Sequence, residues 1–85
     1  MKIYYSSKFE KEYKNLPKKV RIKAEKKEVV FRKNAFDNRL KTHRLKGILR
    51  DYWTFSIDYH YRIIFEFRDQ RNIWFHSVGT HDIYE

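Results

Sequence analysis

The sequence predicts an α+β fold of order β-α-α-β-β-β, with a helical hairpin packed on one face of a small, mainly antiparallel sheet. Two runs of period-two alternation within residues 52–67 and two short amphipathic segments ahead of them carry this expectation. Trp53, Phe55 and Ile57 alternate with Tyr52, Thr54, Ser56 and Asp58. Tyr61, Ile63, Phe65 and Phe67 then alternate with Arg62, Ile64, Glu66 and Arg68. Aromatic and β-branched residues at this period signal strands with one face on a core. Arg62 stands mid-strand on the opposite face from Tyr61 and Ile63. A charge there either reaches back to solvent or faces something anionic.

The elements follow in order. Lys2-Ile3-Tyr4-Tyr5 reads as a first strand. Ser6 and Ser7 offer N-caps, and Glu10 lies at capping-box spacing from Ser7. Phe9, Tyr13 and Leu16 recur at i, i+4, i+7, one apolar stripe on a short helix. Leu16-Pro17 marks a break, and Pro17 suits the first turn of a second helix. There Val20, Ala24 and Phe31 lie near one face and lysines fill the other. Residues 34–50 form the longest irregular segment, with turn formers Asn34, Asp37 and Asn38. Leu40 and Leu45 can anchor it while His43, Arg44 and Lys46 stay exposed. After a polar turn at 69–72 a last strand spans 73–78, with Ile73, Phe75 and Ser77 on one face, and Gly79 ends it.

The 85 residues are read as one domain, 1–85, without repeats or low-complexity segments. A chain of this size buries roughly 60–65% of its unfolded surface, enough for one modest core. The absence of cysteine excludes a disulfide framework and a thiolate metal site. No apolar run approaches the roughly 20 residues of a membrane span, and no signal-peptide core is apparent, so a cytoplasmic protein is expected. The net charge of +9 is uneven: residues 1–50 carry 17 Lys/Arg against 5 Asp/Glu, residues 51–85 only 3 against 6. That asymmetry points to an anionic partner, nucleic acid foremost. Lys18, Lys19, Lys23 and Lys27 on the second helix, with Arg44 and Lys46 in the loop, are the candidate phosphate contacts. A solvated basic helical face is the alternative.

Nucleotide-binding glycine motifs and the nucleophile-elbow motif are absent. The four histidines lack the close pairing of a zinc site, and neither metal nor cofactor is expected. His60 suits a hairpin turn, and His76 alternates into a strand face. His43, Arg62 and His81 remain, from three segments that can converge on the sheet face not covered by helices. Two imidazoles and a guanidinium suffice for RNA cleavage without metal. One group takes the 2′-OH proton, the arginine stabilises charge on the phosphate, and the other protonates the departing 5′-oxygen. Imidazole suits both proton roles because its ordinary pKa of about 6.5 lies near working pH.

The motifs Ser7-Lys8-Phe9-Glu10-Lys11, Leu16-Pro17, His43-Arg44-Leu45-Lys46-Gly47, Tyr52-Trp53-Thr54-Phe55-Ser56-Ile57, Tyr61-Arg62-Ile63-Ile64-Phe65 and Val78-Gly79-Thr80-His81-Asp82-Ile83-Tyr84 cover nearly the whole chain. With them the sequence resembles the RelE/ParE superfamily of toxins from toxin–antitoxin pairs, in particular its YoeB- and YafQ-like messenger-RNA interferases. The resemblance implies that His43 stands at the general-base position, a glutamate in YoeB-like and a histidine in YafQ-like members. It implies that Arg62 binds the scissile phosphate, that His81 is the general acid, and that Tyr84 lies near an aromatic that stacks on a base or orients the substrate. It further implies a cognate antitoxin, messenger RNA and the ribosome, with its ribosomal RNA, as partners. The chain departs from the YafQ-like pattern at Ser56, His60, Tyr61 and Ser77, where such members carry His, Asp, Trp and Arg. Two rival functions stand beside this one. A ParE-like gyrase inhibitor would not need His43 and His81, and a plain RNA-binding domain would tolerate loss of His81.

Overall fold

A computed structural model of the chain describes residues 1–84, and the side chains of residues 1–83. Strand β1 (Lys2–Tyr5) leads into helices α1 (Ser7–Lys14) and α2 (Lys18–Lys33). Short turns follow, with a two-residue strand β2 (His43–Arg44) among them. Then come β3 (Trp53–Ser56), β4 (Tyr61–Phe67) and β5 (Asn72–Thr80). The strands form one sheet in the order β1-β5-β4-β3-β2, antiparallel except where β1 runs parallel to β5. This is the expected β-α-α-β-β-β order with one small strand added at an edge. No helix among the described residues is long and apolar enough to cross a membrane.

Local chemistry accounts for the helix boundaries. Ser6, not Ser7, caps α1: its hydroxyl accepts from the Phe9 amide at 2.9 Å and donates to the His76 carbonyl at 2.8 Å. The third helical position is therefore Phe9, and the expected capping box with Glu10 does not form. Pro17 ends the turn between the helices and caps α2 with its fixed extended backbone.

The apolar stripes of both helices meet one sheet face. Phe9, Val20, Ala24 and Phe31 are buried with Phe55, Ile63, Phe65 and Phe75. Phe31 sits at the centre, its ring 4.9, 5.0 and 5.4 Å from those of Phe55, Phe65 and Phe75. Truncating such a residue costs about 3–5 kcal/mol.

The last strand departs from simple alternation. Ile64 faces Ser77 but Phe65 faces Phe75, so His76 is an extra residue and β5 bulges there. The bulge moves Ser77 off the core face expected for it and brings Val78 in beside Ile73 and Phe75. It also carries the strand through Gly79 to Thr80 rather than ending it at 78. β1 stops at Tyr5, which leaves the distal edge of β5 without a strand partner. Glu12 on α1 takes that place: its carboxylate accepts from the Val78 amide at 3.1 Å and the Ser77 hydroxyl at 2.9 Å.

Candidate functional site

Alternation along β4 puts Tyr61, Ile63, Phe65 and Phe67 under the helices and turns Arg62, Ile64 and Glu66 to the opposite face. Thr54 and Ser56 of β3 share that second face, paired with Ile64 and Arg62. On the other side Arg62 faces Gly79 of β5. A bulky neighbour is thus missing on one flank of the guanidinium and a small hydroxyl stands on the other. Arg62 Nη1 donates to Ser56 Oγ at 2.7 Å, and Arg62 makes no ion pair among the described residues. A half-buried guanidinium held by a neutral acceptor keeps its charge available to an incoming anion.

His81 begins the 3₁₀ turn His81–Tyr84, two residues after Gly79. The turn folds back onto the second face. A Cβ added at Gly79 would lie 2.6 Å from Ile83 Cγ2, so glycine here is a requirement of close approach. Ile83 also lines a cleft of about 320 Å³ with Leu49, Tyr52, Ile64, His76 and Ser77. His81 itself is exposed.

His43 enters from the other side. It lies on the edge strand β2, faces Thr54, and is exposed, with its Nδ1 3.0 Å from the Lys41 carbonyl. On an ideal sheet the His43 and Arg62 Cα atoms are about 12 Å apart, two strands across and two residues along. Arg62 and His81 thus share one end of the face, and His43 approaches from the far edge. None of the three hydrogen-bonds another among the described residues. The side chain of Tyr84 lies outside the described residues.

The other basic candidates divide. Arg44 donates its Nε to the Arg50 carbonyl, and Lys46 is exposed at the start of a turn that needs Gly47 at φ 67°. Lys18 and Lys19 are exposed on α2. Lys23, by contrast, pairs with Asp58 at 3.3 Å, and Lys27 donates to the Arg39 carbonyl at 3.3 Å. The helix lies on the sheet face opposite Arg62, so Lys18 and Lys19 are separated from that arginine by the sheet.

His60 lies in the turn before β4, as its position in the chain suggested. His76 is structural: its Nε2 lies 3.0 Å from Glu66 Oε1, which also accepts from Arg68 at 3.1 Å. Its ring meets Tyr52 edge-on at 5.0 Å and stacks with Trp74 at 6.2 Å.

Lys41 and Tyr59 near Arg62 escape sequence reading, and so does the contact of Ser56 with that arginine. Ser56 looks like an ordinary small strand residue until its pairing with Arg62 is known. Lys41 is hidden among many lysines, yet it alone of the described non-glycine residues adopts positive φ, at 53°. Tyr59 could have been found as an aromatic in a polar hairpin turn.

No protein-family model and no curated protein matches the sequence. Solved structures do match in fold. YafQ from E. coli strain BL21(DE3) superposes with a TM-score of 0.80 at 20% identity, covering 96% of this chain and 94% of its own. The YoeB dimer from Staphylococcus aureus gives 0.77 at 24% identity over 95% and 97%. The E. coli DinJ–YafQ toxin–antitoxin complex gives 0.77 at 21% identity over 95% and 92%. The chain therefore has the fold of the YafQ and YoeB toxins, as the motif resemblance implied.

Proposed function

We propose that the chain is the toxin of a type II toxin–antitoxin pair and an endoribonuclease that cleaves messenger RNA, in the ribosomal A site. The observation that carries this reading is Arg62, a cation without a carboxylate partner among the described residues, projecting from a central strand on the face that the helices leave uncovered. The shared fold with YafQ and YoeB supports it.

In this reading His43 accepts the proton of the ribose 2′-OH, and the 2′-oxygen attacks phosphorus. Arg62 stabilises the charge that builds on the non-bridging oxygens. The P–O5′ bond breaks, and His81 gives its proton to the departing oxygen. The products are a 2′,3′-cyclic phosphate and a 5′-hydroxyl. The exposed lysines and arginines of the first 50 residues hold the protein on ribosomal RNA phosphates. A cognate antitoxin neutralises the protein, in the manner that the DinJ–YafQ complex suggests.

The test is induced expression of the chain alone, followed by analysis of new messenger-RNA ends. Growth should stop, and the new 5′ ends should ligate to an adaptor only after kinase treatment, because they carry hydroxyls. Growth arrest with intact messenger RNA would instead favour a non-enzymatic inhibitor such as a ParE-like gyrase binder.

A further inference from the structure

On the side of Arg62 away from Gly79, a cleft of about 300 Å³ opens between α2, the 38–41 turn and the β3–β4 hairpin. It is lined by Lys27, Arg39, Lys41, Ser56, Tyr59 and Arg62, together with Asp58. The charges do not cancel. Arg39 is held by Asp37 through Nε and Nη2, both at 3.0 Å, and Asp58 is paired with Lys23. Lys27, Lys41 and Arg62 are left without ion pairs among the described residues.

Two further features converge on the same cleft. Lys41 sits in the left-handed region at φ 53°, where a residue with a Cβ is disfavoured and Gly or Asn is usual. Lys41 closes the 38–40 turn in this conformation, its amide donating to the Asn38 carbonyl, and a lysine stands there, at the edge of the basic cleft, where Gly or Asn would be less strained. Tyr59 is 81% exposed at the hairpin tip, its ring edge-on to His60 at 5.1 Å. The tip is fixed: Asp58 Oδ1 accepts from the His60 and Tyr61 amides at 2.9 and 2.8 Å. A single exposed aromatic needs no explanation. One carried on a fixed turn at the mouth of a cleft with three uncompensated cations among the described residues has the composition of a single-strand nucleic-acid subsite, an aromatic stacking platform beside phosphate-binding charges.

We infer that this cleft binds the nucleotide next to the scissile phosphate of single-stranded RNA, with Lys27 and Lys41 on its phosphate and Tyr59 stacked on its base. The inference rests on the RNA-cleavage reading and extends it with a second subsite. RNA then crosses Arg62 and turns toward the hairpin tip, meeting Lys27 of α2 but not Lys18 and Lys19 at the start of that helix.

The experiment measures binding of a fluorescein-labelled single-stranded oligoribonucleotide across a salt series, with messenger-RNA end mapping in cells for the same variants. Tyr59→Ala should weaken binding about 5- to 150-fold, the range for one lost base stack, without changing the salt slope, and Tyr59→Trp should restore it. Lys27→Gln with Lys41→Gly should lower the slope of log affinity against log salt by about 0.7, one single-strand phosphate contact. Lys41→Gly alone should hold or raise the melting temperature while weakening binding, which separates a binding role from a folding role. Variants that bind and cleave like the wild type would overturn the cleft while leaving RNA cleavage standing. A wild-type protein that neither binds the oligonucleotide nor creates messenger-RNA ends would overturn both.

Discussion

Gly79 links backbone to chemistry at the scale of one residue. It faces Arg62 across β4–β5, and the absence of its side chain lets Ile83 pack down and hold the turn that begins at His81. Gly79→Ala should therefore lift this turn. The overpacking cost is about 1 kcal/mol, since Ile83 is half-exposed and can give way. A misplacement of about 1 Å in a proton donor, however, lowers rate by up to about 10²-fold. The expected result is a folded protein with a melting temperature lowered by about 4–8 °C and a cleavage rate down by one to two orders of magnitude. A folded Gly79→Ala protein that cleaves at the wild-type rate would mean that the Ile83 contact does not set the position of His81.

The β3–β4 hairpin shows the same economy at the scale of an element. Asp58 organises its turn with one carboxylate, accepting from two amides and from Lys23. Partial burial works against the charge, but the Tyr61 and His60 amides and Lys23 outweigh it and hold the carboxyl below the ordinary carboxylate value. A carboxylate with a depressed pKa in the folded state stabilises that state above its unfolded value of about 3.9 and loses the effect as pH falls through the folded value. Asp58→Asn keeps an amide acceptor but loses the charge. Its stability deficit by urea unfolding should be present at pH 7 and shrink below about pH 4; a constant deficit across that range would contradict the assignment. The strand faces of this hairpin were legible from alternation because one side is buried and register follows burial. β2 was not legible: two exposed residues, His43 and Arg44, carry no periodic signal, and only pairing with Thr54 and Trp53 makes them a strand. The bulge at His76 was hidden for a related reason, since one inserted residue shifts the pattern without altering composition. Glu12 as the partner of the β5 edge depends on contacts 65 and 66 residues apart, which local pattern cannot show.

At the scale of the whole molecule the charge asymmetry takes on a direction. The basic first half supplies α2 and the 38–50 turns, and the acidic second half supplies the central strands, whose inner lattice carries Arg62. The helices cover one sheet face, so an anion approaching from solvent meets Arg62 from the other. Reading the sequence located Arg62 on that face and His81 beyond the last strand. It could not show Ser56 as the acceptor that orients the guanidinium, because that contact depends on the register between β3 and β4. The most direct test of the account is messenger-RNA end mapping in cells that express the wild type and Arg62→Ala side by side, at matched levels of folded protein. Discrete new ends are expected with the wild type and a loss of about 10²-fold or more with Arg62→Ala, as removal of a transition-state donor produces. A folded Arg62→Ala protein that generates the same ends at the wild-type rate would contradict it.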